Sequence, residues 1–241
     1  MGNGRPDDLD ELGSGPLSRG AAVVLWFFVV CGLTVLTGGL PLVLVPFLSD
    51  DAGNLWIVAL LALPMGPALA AAMFAWRRYS AEPDLRPATH FWRGYRLNAL
   101  DVLRWWTPLV LALAVIGFSL AHLGAAGVPS GYGIVLVVIA VALMLWAVIA
   151  LALSSRLSLR TRDVARLSAY YLAAKPLVTL GALSLLVLGA GIVFVISDWA
   201  LVMASGLIAF AVVTTTEPVV RDATARFTAP PTDAADRTEP V

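Results

Sequence analysis

Charge is scarce in this sequence. Only 13% of its 241 residues are charged, 59% are hydrophobic, and the mean hydropathy is +0.85. Soluble domains carry about 25% charged and about 45–50% apolar residues. The deficit excludes a soluble core and points to an α-helical integral membrane protein. Cysteine is nearly absent too. Cys31 is the sole one, which excludes an internal disulfide, and its apolar surroundings predict a buried, inert thiol.

Other absences bear on chemistry. No HExxH, GxSxG, Walker A, CxxC or glycine-rich dinucleotide pattern occurs, so no enzyme activity and no cofactor are expected. His90 and His122 fall on opposite sides of the expected membrane, which leaves no shared metal site. None of the expected spans holds Asp, Glu, Lys, Arg or His. Proton relays and many ion-coupled transporters need such groups, so a carboxylate-based proton-coupled mechanism is disfavoured. The first twenty residues carry Asp7, Asp8, Asp10 and Glu11 and lack a basic start, against a secretory signal peptide.

What is present is a series of long apolar runs. A span needs about 20 apolar residues. Six are expected: Ala21 to Phe47, Leu55 to Trp76, Trp105 to Leu120, Gly131 to Leu153, Pro176 to Ile196, and Trp199 to Thr216. Gly38, Gly39 and Pro41 interrupt the first, which is either kinked or ends early and continues along the interface. Residues 1–20 and 217–241 read as disordered cytoplasmic tails flanking a transmembrane domain over 21–216. The expected fold is all-α, a bundle of about six transmembrane helices with one or two cytoplasmic interfacial amphipathic helices.

Arginine and lysine placement sets the topology. The loops after the first, third and fifth spans hold no Lys or Arg, and all 16 basic residues fall in the other four polar regions. With six spans those regions share one side, so both termini are expected in the cytoplasm.

Two stretches carry candidate sites. From Phe91 to Trp106, Phe91, Tyr95, Ala99, Val102 and Trp106 form one helical stripe, with Trp92 and Leu103 at its edge. Arg93, Arg96 and Arg104 lie opposite. Such a segment suits a helix lying on the membrane surface, its arginines either docking a partner or anionic lipid or only anchoring the next span. Asn98 falls inside the apolar stripe and needs a partner, expected on a neighbouring span. The second stretch is Pro64-Met65-Gly66-Pro67 near the middle of the second span. Broken helices expose backbone groups that transporters use at substrate sites, so Pro64, Gly66 and Pro67 mark either such a site or a packing kink. The basic segment before Pro176 echoes the one before Pro108, through internal duplication or repeated boundary chemistry.

The runs LPMGPALAAAMFAWRR, HFWRGYRLNALDVLRWW and SLRTRDVARLSAYYLAAKPLVTLGAL resemble the YesL-like family of bacterial membrane proteins. The resemblance covers roughly Ala21 to Thr216. It implies a multi-span inner-membrane protein of unestablished activity, associated with carbohydrate or other solute uptake. Its expected partners are the lipid bilayer, an uptake-system permease or ATPase, and anionic lipid, with no nucleic acid. The expected role is accessory or scaffold. The alternative is a small neutral-solute permease with its site at the broken second span.

Overall fold

Backbone inside a bilayer has no water to bond, so each apolar run closes its own hydrogen bonds as helix. The computed structural model describes residues 16–49, 51–81, 86–127, 129–157, 160–195, 200 and 203–228. The α-helices are α1 (Pro16–Thr34), α2 (Leu55–Ala62), α3 (Met65–Ala81), α4 (Pro87–His122), α5 (Ser130–Ser154), α6 (Thr161–Ala174), α7 (Pro176–Val195) and α8 (Ser205–Thr228). No strand occurs among the described residues. Five stretches are long and apolar enough to cross a membrane: Ala21–Val45, Ala52–Tyr79, Pro87–His122, Gly131–Ser154 and Pro176–Val195. The chain is an all-α membrane protein. The first residues of the expected sixth span, Trp199 to Thr216, fall largely outside the described ones; its later part opens α8.

Helix α3 is the hub, packing against α1, α4, α5 and α8. Its Ala68, Ala70, Ala71, Ala72 and Ala75 are wholly buried, and side chains this small let neighbouring helices approach closely. Aromatic rings fill the space around its end. Trp26 of α1 stacks on His90 of α4 at 5.8 Å and lies 5.0 Å from Tyr79 of α3. Trp76 of α3 donates its indole N–H to the Gly206 carbonyl of α8 at 2.9 Å. Helix α7 is peripheral. Its Leu177, Val187, Phe194 and Val195 point outward, as lipid-facing residues do.

Three points bear on the expected boundaries, and the first decides for the kinked alternative of the first span. The first span does not stop at its glycines. After Thr34 it continues as a π-helical turn, Val35–Gly39, and a 3₁₀ helix, Leu40–Phe47. Pro41 has no N–H for the Thr37 carbonyl, and the helical path changes pitch around it. Gly38 is buried against Met65 and Ala68 at the start of α3, where a larger residue would clash.

The second difference concerns Phe91 to Trp106, expected as a surface helix separate from the third span. It is the first half of α4, one unbroken helix of 36 residues that runs through Pro108. Its apolar stripe packs against α3. The echo between the two basic segments is not repeated in geometry. Lys175, before Pro176, leaves the helical region at φ −125° and ψ 75° and separates amphipathic α6 from α7. The residue before a proline is pushed toward such extended conformations.

The third difference is at the end of the chain. Residues 217–228, expected to belong to a disordered tail, continue α8. Val219, Val220 and Ala223 are fully buried, and Val219 and Ala223 join a small core with Ile149, Leu153, Tyr171 and Val178. Tyr171 of α6 donates its hydroxyl to Asp222 at 2.9 Å. This apolar stripe, rather than overall composition, decides that the segment folds. At the other end helix begins at Pro16, within the expected tail. The rest of both tails lies outside the described residues.

Candidate functional site

The break in the second span is real. Helix α2 ends at Ala62 and α3 starts at Met65, with Leu63 and Pro64 between them. Pro64 has no N–H, so the Leu60 carbonyl is taken by Leu63 N at 3.3 Å. The Ala62 carbonyl accepts from the indole Nε1 of Trp106 on α4 at 3.1 Å. Gly66 makes that bond possible. A Cβ there would lie 2.5 Å from two atoms of the Trp106 ring, so only glycine lets the ring reach across. Gly66 and Pro67 are buried and Pro64 is half-buried. The break is therefore clamped by a side chain, and one backbone acceptor that a polar solute could have used is filled.

Beside the break lies a partly open cavity of about 860 Å³. Ala62, Met65 and Trp106 border it on one side and residues of α5, α7 and α8 on the others. The walls are almost entirely apolar. Among the described residues, Ser205 is the only hydroxyl-bearing one in the walls, and its Oγ is buried without a hydrogen-bond partner.

On α4, Phe91, Gly94, Val102 and Trp105 are buried, while Tyr95, Ala99 and Trp106 are half-buried. The expected stripe thus exists, rotated slightly toward Gly94 and Trp105. Phe74 of α3 fits against Gly94, where a Cβ would meet it at 2.8 Å. Trp105, which sequence reasoning passed over for Trp106, is 3% exposed and packs edge-on to Trp146 at 5.5 Å. Asn98 is half-buried, and its side chain makes no hydrogen bond among the described residues.

Arg93, Arg96 and Arg104 are exposed on the outer face, as their spacing requires. Arg104 pairs with Asp101 one turn back at 2.8 Å. Between them stand Leu97 and Leu100, 60% and 74% exposed. Arg93, Leu97, Leu100 and Arg104 follow the i, i+4, i+7, i+11 spacing of a single helical stripe, so this face mixes apolar and cationic groups.

A second basic group was not legible from spacing. Arg77 at the end of α3 donates Nη2 to the Ala152 carbonyl of α5 at 3.2 Å. Its Nε and Nη1 are buried without a partner. Glu217 of α8 bonds Arg221 at 3.3 Å and approaches Arg156 to 3.8 Å. The signal that could have found this group is the last arginine-bearing turn of one span facing a carboxylate 140 residues away, which no local period encodes.

No group of three or more His, Cys, Asp or Glu side chains able to hold a metal occurs among the described residues. His90 and His122 stand 32 residues apart on one helix, about 48 Å at 1.5 Å per residue.

These features define a helical membrane protein with a partly open apolar cavity beside the α2–α3 break and basic clusters on α4 and at the α3–α8 end. No protein family, curated protein or solved structure matches the chain.

Proposed function

We propose that the chain is an accessory or scaffold component of a solute-uptake assembly in a bacterial inner membrane. Both termini are cytoplasmic in this reading, following the arginine distribution. The observation that carries it is the outer face of α4, where exposed Leu97 and Leu100 sit among Arg93, Arg96 and Arg104. Exposed leucines bracketed by arginines suit a permease or ATPase partner with an acidic, apolar-centred surface, or an anionic leaflet. Carbohydrate as the solute rests on the YesL-like resemblance alone.

The test is crosslinking and pull-down from native membranes. Recovery of an uptake permease or ATPase with the wild-type chain, lost when Arg93, Arg96 and Arg104 become Gln, supports the reading. Solute flux through the purified chain alone in liposomes overturns it.

That second outcome is the prediction of the permease reading, which one observation favours: the cavity touches Ala62 and Met65 on either side of the break. Its apolar walls suit a neutral, weakly hydrated solute, not a sugar bearing many hydroxyls.

A further inference from the structure

Four wall residues place the open side of the cavity. Val141 and Met144 of α5 and Val187 and Phe194 of α7 border it and are themselves exposed. The walls reach inward to α3 and α8, where Met73 and Ala209 are each 1% exposed. Val141 and Met144 lie at least ten residues inside either end of the apolar stretch Gly131–Ser154, about 15 Å of helix. Val187 is likewise central in Pro176–Val195. The opening therefore stands at the depth of lipid tails, and whatever enters there comes out of hydrocarbon.

The walls also reject a polar guest. The indole Nε1 of Trp106 is already spent on the Ala62 carbonyl, and the Ser205 Oγ is buried. A water needs two to four polar partners, whereas an apolar cavity stays dry and takes apolar guests. Left empty, the walls forfeit the dispersion contacts a guest would supply.

Dimensions narrow the guest further. On α5 the lining runs from Ala140 to Leu151, about 16 Å. One leaflet supplies half of a hydrocarbon core about 30 Å thick, so the length fits the acyl chain of a single leaflet. The volume of about 860 Å³ lies within the range of about 300–1,000 Å³ of small-molecule sites.

We infer that the cavity is a lateral site for an acyl chain of a bilayer phospholipid, which enters past Val141, Met144 and Val187 and lies along Met65, Leu69 and Met73. The walls recognise the chain, so binding is indifferent to headgroup charge. The site is separate from the outer face of α4 and does not depend on what docks there. A resident chain occupies the volume that the permease reading leaves to a passing solute.

Photocrosslinking of the full chain in vesicles tests the site. The vesicles carry phosphatidylcholine or phosphatidylglycerol with a diazirine near the middle of one acyl chain, and peptide mass spectrometry maps the adducts. The expected result is labelling of Met65 and Leu69 from both lipids, besides the outward Leu180, which is outside the cavity. Ala140→Trp, which fills the cavity from α5, should lower the inner labels at least fivefold and leave Leu180 unchanged. If that variant fails to fold, Ala190→Trp on the α7 wall should do the same. Labels confined to outward residues, or inner labels that persist in the folded Trp variant, overturn the assignment. Inner labelling at least tenfold stronger from one headgroup than the other also overturns it, as does displacement of the inner labels by a small mole fraction of farnesol, which would assign the cavity to an isoprenoid.

Discussion

The Tyr171 hydroxyl donates to the Asp222 carboxylate at 2.9 Å and so joins amphipathic α6 to the far end of α8. The ring of Tyr171 is 1% exposed and packs in the same small core as Val219 and Ala223. The bond therefore holds the last turns of α8 in helical form against the bundle. Tyr171→Phe keeps the ring and removes the bond. It should destabilise by about 1.5–3 kcal/mol, the range for a hydrogen bond to a charged acceptor. Thermal unfolding in detergent reads the loss, and proteolysis should cut first within residues 217–228. A variant as protease-resistant as wild type there would show that packing alone holds α8.

The Trp106 clamp depends on the absence of a side chain at position 66. Gly66→Ala places a methyl 2.5 Å from the Trp106 ring, and overpacking of this kind costs about 1–3 kcal/mol. Trp106→Ala removes both the clash and the bond to Ala62. In the double variant the penalties should not add, because the two residues share one contact. Additive penalties in a double-mutant cycle would place the strain elsewhere.

The two halves of the α4 aromatic set should separate cleanly. Trp105→Ala empties a core site 3% exposed and should cost about 3–5 kcal/mol. Trp105→Phe should be far milder, since its indole N–H has no partner to lose. Trp92, at 41% exposed, should tolerate Ala with a change within about 0.5 kcal/mol. Expression level and melting temperature across the three variants check the order.

Replacing Arg93, Arg96 and Arg104 together by Gln should leave melting nearly unchanged. Arg104 and Asp101 are 67% and 47% exposed, and such pairs contribute about 0–1 kcal/mol. Partner recovery or lipid-dependent function should fall instead. Degradation of the triple variant, with the Trp92 variant well tolerated, would assign the arginines to anchoring.

Reporter fusions after Asp51, Gly124 and Asp198 should all read external if six spans place both termini inside. A cytoplasmic signal at any one of them would break the topology. Asp198 lies outside the described residues, so its fusion also tests the sixth span directly.

Hydropathy made the membrane class and the five apolar stretches readable, because burying unpaired backbone in lipid leaves helix as the only local answer. The period of residues 91–106 likewise separated Arg93, Arg96 and Arg104 from Phe91 and Val102. What period could not say is what the apolar stripe touches. Lipid tails and a facing alanine-rich helix are equally apolar, so a stripe bound for α3 reads like one bound for the interface. The same limit hid the end of α8. Val219, Val220 and Ala223 are few among charged neighbours, and their partners on α5, α6 and α7 come from distant sequence. Trp106 and Ala62 stand 44 residues apart, and Arg77 and Ala152 stand 75 apart, so both contacts belong to tertiary structure alone.

Helix α4 is 36 residues long, about 54 Å, where a bilayer crossing takes about 20 residues. Roughly 16 residues exceed what one crossing takes, and that first part of α4 carries Arg93 and Arg96 on its outer face while Phe91 and Val102 bury its inner face in the bundle. Pro108 sits near the fulcrum, where its missing N–H leaves the Arg104 carbonyl without its helical donor and lowers resistance to bending. Torque applied at the arginines is therefore delivered first to Trp105 and Trp106 beside that weak point. Because Trp106 also holds the Ala62 carbonyl, a shift of the first half of α4 acts directly on the seam between α2 and α3.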